Sequence, residues 1–416
     1  MRILVLSSML PRREGSGAIP VLLFAELLGL SERHELTLVA PMGDEPGEAE
    51  AAAELEHAGF DLDLHVVDRR RPAPGRGRRR RQRELARTWL RSGWPWRTVW
   101  FAAPGIQAVL NRLAAERDFD VVAIEDSAMT VFDLPAGVPA VLTANEVLRA
   151  RRVDWRAGPP TRWPRWALRE IDWRRWPRFQ RNAWRRFDRL QVFSERDAGR
   201  IAELAPELAS RVRVNPFGMV MPPAADPDRV VPGTLLFVGH FAHPPNRDAA
   251  IWLAREIMPA VLERQPDARL RIVGTAAPQE VLELAGPRVE VVPDAPSIEP
   301  HLEQAAVVLA PVRTGGGMRM KVLQAMASGK AVVTTSRGTE GYTGFGAEPP
   351  LVVADDAAGL AEESASLLAD SPRRRELGER AREFALRHHS PQAWAERLEG
   401  VYDDARRGRL EASPHG

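Results

Sequence analysis

The sequence predicts an α/β protein made of two doubly wound domains of similar size that face a cleft. Three observations carry this expectation. A chain of 416 residues is too long for one compact core. Short apolar runs bounded by turn residues alternate with amphipathic stretches, the pattern of a parallel sheet flanked by helices. That alternation runs through twice, on either side of a Pro-, Ala- and Asp-rich link at residues 217–232.

The elements follow in order. MRILVLSSML reads as a first strand, residues 18–30 as a helix and HELTLVAP as a second strand. The turn after the first strand, PRREGSGAIP, carries Gly15 and Gly17. DLDLHVVD alternates as a strand, and DVVAIED and AVLTANE read as buried strands. This half extends to about Pro216 and is interrupted by two arginine-rich insertions. The second half begins at GTLLFVGHF and repeats the order through LRIVG, VEVVP, AAVVLAPV and KAVVTT to LVVA. Residues 372–406 read as charged helix, after which RGRLEASPHG frays. Ligands of such folds lie beyond the C-terminal ends of the strands.

Composition narrows the chemistry. With 44% hydrophobic and 27% charged residues the chain belongs among soluble globular proteins. It has no cysteine, which excludes disulfides, thiolate metal sites and thiol nucleophiles. After the apolar ILVLSSML, Pro11, Arg12 and Arg13 stand where a signal peptide needs small residues, so the cytoplasm is expected. The net charge of +2 hides an asymmetry. Residues 69–97 hold twelve arginines against Glu84 alone, and residues 149–189 hold fourteen against four acids, with six tryptophans between them. One anionic partner is expected on this side. Two Asp-x-Asp triplets, at 61–63 and 118–120, are explained by strand alternation and strand entry. No His or carboxylate cluster has metal spacing, and no metal is expected.

Residues 309–335, LAPVRTGGGMRMKVLQAMASGKAVVTT, are the most informative stretch. An apolar strand enters Gly315, Gly316 and Gly317, a helix follows with Arg319 and Lys321, and Gly329 leads into another apolar strand. Glycines let a backbone approach a phosphate, the N–H groups opening the helix point at it, and fixed cations add charge. A plain strand-to-helix turn reads similarly, but the Gly-Lys at 329–330 and the VVTT after it favour the phosphate. Lys321 is one of only two lysines among 58 basic residues.

These residues resemble the donor-binding signature of the retaining glycosyltransferases of the GT-B fold, family 4-like, also described as glycosyl transferases group 1. LLFVGHFAHPPNRDAAIWLAREIMPAVLERQPDARLRIVG, an Ile-Glu-Pro turn at 298–300, the glycine loop and SRGTEGY follow in that group's order. The resemblance implies two Rossmann-like domains: 1–216 on the acceptor side with the Arg/Trp-rich insertions, and 217–390 binding a nucleotide-sugar. A last helix, 391–407, would return to the first domain, with Trp394 as an aromatic anchor. It implies transfer of a sugar from a nucleotide-sugar, used as substrate with no cofactor, to an acceptor hydroxyl with retention.

On the donor side the resemblance points to Gly239, His240, Gly315, Gly316, Gly317, Met318, Gln324 and Glu340, with Arg319 and Lys321 facing the diphosphate. Two glutamates usual in the group are replaced by Gly316 and Gln324; glutamine still hydrogen-bonds a ribose hydroxyl but carries no charge. Glu340 either supplies the missing carboxylate or is an exposed turn acid. Asn246 is either a helix cap or a ligand contact, and His240 either lines the cleft or is structural. On the acceptor side stand Gly15, Gly17, Asn145 and Glu146. Glu146 either orients and deprotonates the acceptor hydroxyl or is a solvated strand-end acid. The acceptor is a sugar, a lipid-linked glycan or a small molecule. Arginine with interfacial tryptophan, at 163, 166, 173 and 176, favours an anionic membrane surface over nucleic acid, which would place the protein on the inner face of the membrane. A nucleotide-sugar epimerase of the same fold and a non-catalytic GT-B-like scaffold subunit are the alternatives.

Overall fold

Two all-parallel sheets organise the computed structural model, which describes every residue except 15–17, 44–46, 70–75, 146, 148–162 and 413–416. One unit takes the described residues up to Met219 together with those from Pro391 onward; the other takes Val220–Ser390.

In the first unit the chain runs β1 (Arg2–Leu6), α1 (Ala18–Ser31), β2 (Glu35–Met42), α2 (Glu48–Glu56), β3 (Asp63–Asp68), α3 (Arg76–Ser92), α4 (Trp96–Phe101) and α5 (Pro104–Glu116). It continues through β4 (Val121–Ile124), β5 (Ala140–Thr143), α6 (Trp163–Trp184), β6 (Arg189–Val192), α7 (Glu195–Leu204) and β7 (Val212–Val214). The seven strands lie in the order β3-β2-β1-β4-β5-β6-β7. Central strands such as β4, VVAI, are buried along their length, as strands covered on both faces must be. Among the described residues the arginine-rich segments are largely helical, and the end of α6 enters the core of this unit. They form α3 and α6, and Trp184 at the end of α6 is fully buried with Phe187, Leu190 and Ile201.

The second unit runs β8 (Thr234–His240), α8 (Pro244–Trp252), a π-helical turn at Leu253–Ile257, α9 (Met258–Arg264), β9 (Arg269–Thr275), α10 (Gln279–Leu282) and β10 (Val289–Pro293). It continues with α11 (Glu299–Gln304), β11 (Val307–Ala310), α12 (Met320–Ala327), β12 (Ala331–Thr334), β13 (Val352–Val353), α13 (Ala357–Ala369) and α14 (Ser371–His389). Its six strands lie in the order β10-β9-β8-β11-β12-β13.

The last helix, α15 (Pro391–Ala412), packs on α1 of the first unit. A Cβ on Gly29 would fall on the carbonyl oxygen of Pro391, so only glycine admits this approach. Trp394, Leu398 and Tyr402 are fully buried, with the Trp394 ring edge-on to Phe193 at 6.3 Å. Arg397 donates to Asn215 Oδ1 at 2.9 Å and to the Pro216 carbonyl at 2.8 Å, tying the helix to the chain beyond β7.

Candidate functional site

In a doubly wound sheet the connections leave to opposite faces where the strand order reverses, and a ligand site opens at the strand C-termini there. In the second unit that point lies between β8 and β11. β8 ends in Gly239 and His240, and β11 feeds the loop that holds the three glycines. Gly315 and Gly317 have φ of +89° and +79°, a left-handed backbone that other residues adopt only under strain. Gly316 between them is exposed.

The loop is braced from below. Arg319 donates to the carbonyls of Gly316 at 3.0 Å and Thr314 at 3.3 Å, while Tyr342 Oη donates to the Arg319 carbonyl at 2.6 Å. Arg337 reaches the Gly315 carbonyl at 3.3 Å and pairs with Glu340 Oε1 at 3.5 Å. Met318 is buried, and a Cβ on Gly341 would press on its side chain. Gln324 lies on α12, partly buried.

Lys321 sits in the first turn of α12. Its Nζ donates to Asn246 Oδ1 at 2.8 Å and lies 4.2 Å over the ring of Phe237 on β8. Burial, then repulsion from Arg319, lowers its ammonium from the ordinary value to about 7. Asn246 also donates through Nδ2 to the His240 carbonyl at 2.8 Å, so it bridges the end of β8 to α12. Of the two roles open to it, capping is not the one it has: His243 occupies the N-cap of α8. His240 Nδ1 is 2.7 Å from Thr275 Oγ1, and burial with the adjacent His243 holds its imidazole below the ordinary value.

The Gly-Lys at 329–330 serves the fold rather than a phosphate, a correction to the sequence reading. Gly329, at φ +75°, donates to the Met326 carbonyl and Lys330 donates from its backbone N–H to Ala325, the paired bonds that stop a helix. Lys330 Nζ donates to the carbonyls of Glu303 and Ala305 at 2.8 and 3.1 Å.

In the first unit the strand order reverses between β1 and β4, and there an acidic cluster stands that the sequence reading passed over. Asp126 accepts from Ser8 Oγ at 2.7 Å and from Arg97 Nη2 at 2.8 Å. Glu125 accepts from Thr143 Oγ1 at 3.1 Å and shares a side-chain hydrogen bond with Glu26 of α1. Burial raises both carboxyls, Glu125 to about 7, and their mutual repulsion raises Glu26 further. Asn145 donates to the Glu125 carbonyl at 2.6 Å. From Thr143 a buried chain of hydrogen bonds continues through Gln191 and Asn215 to Arg397. Gly15, Gly17 and Glu146 lie outside the described residues.

The raised carboxyls have a consequence for stability. A folded value above the unfolded one means that Glu125 stabilises fully below its ordinary 4.5 and loses that contribution as pH rises through about 7. Glu125→Gln keeps the acceptor for Thr143 but removes the charge. It is expected to raise the melting temperature at pH 8.5 relative to the parent and to flatten its decline between pH 5.5 and 8.5. An unchanged pH profile in the variant would contradict this.

The two parallel sheets define the class: a two-domain α/β protein of the GT-B fold. Residues 232–370 match the family described as Glycosyl transferases group 1. HepE of Anabaena, solved in complex with UDP, shares the fold at a TM-score of 0.63 and 12% identity, over 97% of this chain and 100% of that one. Sucrose-phosphate synthase from Thermosynechococcus elongatus aligns at a TM-score of 0.64 and 16% identity, over 99% of this chain and 100% of that one. An uncharacterized 44.6 kDa protein in the cps region of Klebsiella pneumoniae is 31% identical over 131 residues, which are 29% of this chain and 34% of that protein.

Proposed function

We propose that the protein is a glycosyltransferase that moves a sugar from a nucleotide-sugar to an acceptor hydroxyl with retention. The observation that carries this reading is Lys321, a desolvated ammonium held by Asn246 beside the glycine loop at the strand-order reversal of the second unit. The family match over 232–370 spans the same residues. Breaking the glycosidic bond leaves charge on the departing diphosphate, and a fixed cation with backbone N–H groups stabilises that charge as it develops. Lys321 supplies the cation. Arg319, expected from the sequence to face the diphosphate beside Lys321, donates to the loop carbonyls of Gly316 and Thr314 as Arg337 does to that of Gly315, so both brace the loop, and Gln324 and Glu340 are the groups offered to the ribose. Asn145 is offered to the acceptor, Glu146 is assigned to it from the sequence alone, and the acceptor is a lipid-linked or envelope glycan met at the inner face of the membrane.

Because HepE is known in complexes with UDP and with UDP-glucose, uridine nucleotides are the first to test. Ligand at a hundredfold excess over its Kd stabilises by about 2.7 kcal/mol, so a melting shift of several degrees is expected with the right nucleotide-sugar. No shift with any of them would contradict the reading. Isomerisation of a labelled nucleotide-sugar without acceptor would make the protein an epimerase, and binding without turnover would make it a scaffold subunit.

The reaction is expected to proceed without metal, since Lys321 supplies a cation to the phosphate. EDTA should leave transfer to within about twofold of its rate. Abolition by EDTA with rescue by manganese would contradict that expectation.

A further inference from the structure

A cavity of about 750 Å³ opens in the first unit between the end of α3, the turn into α4, residues 130–131 and α6. That is the size of pockets that take small-molecule ligands or head groups. Five arginines line it, Arg91, Arg174, Arg175, Arg178 and Arg186, and no acid does.

The five have different employments. Arg175 donates to the carbonyls of Trp89 at 2.7 Å and Trp94 at 3.2 Å, and its guanidinium lies 4.1 Å over the Trp89 ring. Arg186 donates to the carbonyls of Thr130 and Phe132. Asp172 fixes the opposite side, accepting from the Trp89 indole at 2.9 Å and from the Trp96 backbone at 2.6 Å. These contacts build rigid walls. Among the described residues Arg174, itself exposed, pairs with half-buried Glu170 at 3.4 Å, and Arg91 and Arg178 have no acidic partner. Arg91 and Arg178 thus remain for an anion, and Arg174 can turn to it from Glu170.

The rim is apolar. Leu90 and Ile171 line the cavity and are 67% and 44% exposed, Trp94 and Phe179 line it with them, and Leu168 on α6 and Trp96 on α4 are also exposed. Exposed aliphatic side chains around a cationic pocket suit a phosphate that carries a hydrocarbon tail. Trp176, named from the sequence as an interfacial residue, is buried in the fold, and the side chains of Trp163 and Trp166 lie outside the described residues.

We infer that this pocket binds the phosphate of a membrane lipid through Arg91, Arg174 and Arg178, with Leu90 and Ile171 against the apolar chain beside it. The inference deepens the reading of the acceptor as lipid-borne, and gives that reading a place on the first unit.

The test is co-sedimentation of the whole protein with vesicles of phosphatidylcholine alone, or of phosphatidylcholine with phosphatidylglycerol. Binding is expected to require phosphatidylglycerol and to fall with salt. Reversing Arg91, Arg174 and Arg178 to Glu should weaken it on the order of a hundredfold, and Leu90→Ser with Ile171→Ser about tenfold with the charge unchanged. Reversing Arg79, Arg83 and Arg87, on α3 but outside the cavity, should weaken it far less. Equal loss from both triple reversals would overturn the pocket, because any basic surface behaves so. Equal binding to neutral vesicles, saturation by glycerol phosphate alone, or tighter binding to RNA at matched salt would overturn it too. UDP binding is measured on the same variants. Vesicle binding that follows this pattern in a protein that never binds UDP would sink the donor reading and leave this one standing.

Discussion

Lys321→Ala is expected to lower transfer more than tenfold and to weaken UDP binding with it, because one charged stabiliser of the leaving diphosphate is lost. The geometry makes the effect specific. Lys321 Nζ is held in one place, 2.8 Å from Asn246 Oδ1 and over Phe237. Asn246→Ala should act in the same direction but more weakly, since the cation remains while its orientation is lost. Lys321→Arg keeps the charge and should retain binding. Turnover unchanged in a folded Lys321→Ala protein would remove the residue from the mechanism.

Trp184→Ala is expected to destabilise the first unit by about 3–5 kcal/mol, the usual range for removing a large aromatic from a packed core. Trp184 is fully buried among Phe187, Leu190 and Ile201, so its truncation leaves a void. Trp96→Ala should change stability by less than about 1 kcal/mol, since that ring is 43% exposed. Urea unfolding followed by circular dichroism compares the two. Similar midpoints for both variants would show that α6 is an appendage after all.

The contrast between these two tryptophans marks where sequence reasoning reaches and where it stops. Parallel strands covered on both faces are written as plain apolar runs, so β4, β8, β11 and β12 were legible. So was α1, expected at 18–30 and found at Ala18–Ser31. Arginine density concealed the core role of α6, because charge counts describe one side of a helix and say nothing of the side that carries Trp184. In the site, the glycine loop was legible because left-handed backbone selects glycine. Gly329 was misassigned for the same reason, since a helix stop selects glycine equally. Asn246, open between a helix cap and a ligand contact, stayed ambiguous because both call for the same amide, as does the bridge it makes between β8 and α12. The cluster of Ser8, Asp126 and Arg97 was not legible at all. Ser8 and Asp126 are 118 residues apart, and only the adjacency of β1 and β4 brings them together.

The central claim is that Lys321 meets the diphosphate of a nucleotide, and its lowered ammonium provides a direct readout. At pH 8 the free protein holds Lys321 mostly neutral, because its value lies at about 7. A bound diphosphate favours the charged form and raises that value, so binding must take up a proton, and affinity must fall as pH rises above about 7. Calorimetric titration with UDP at pH 8, in two buffers of different ionisation enthalpy, counts the protons. Uptake close to one proton in the parent and close to none in Lys321→Arg is the predicted result. UDP binding with the same proton count in both proteins, or no UDP binding by the parent, would contradict it.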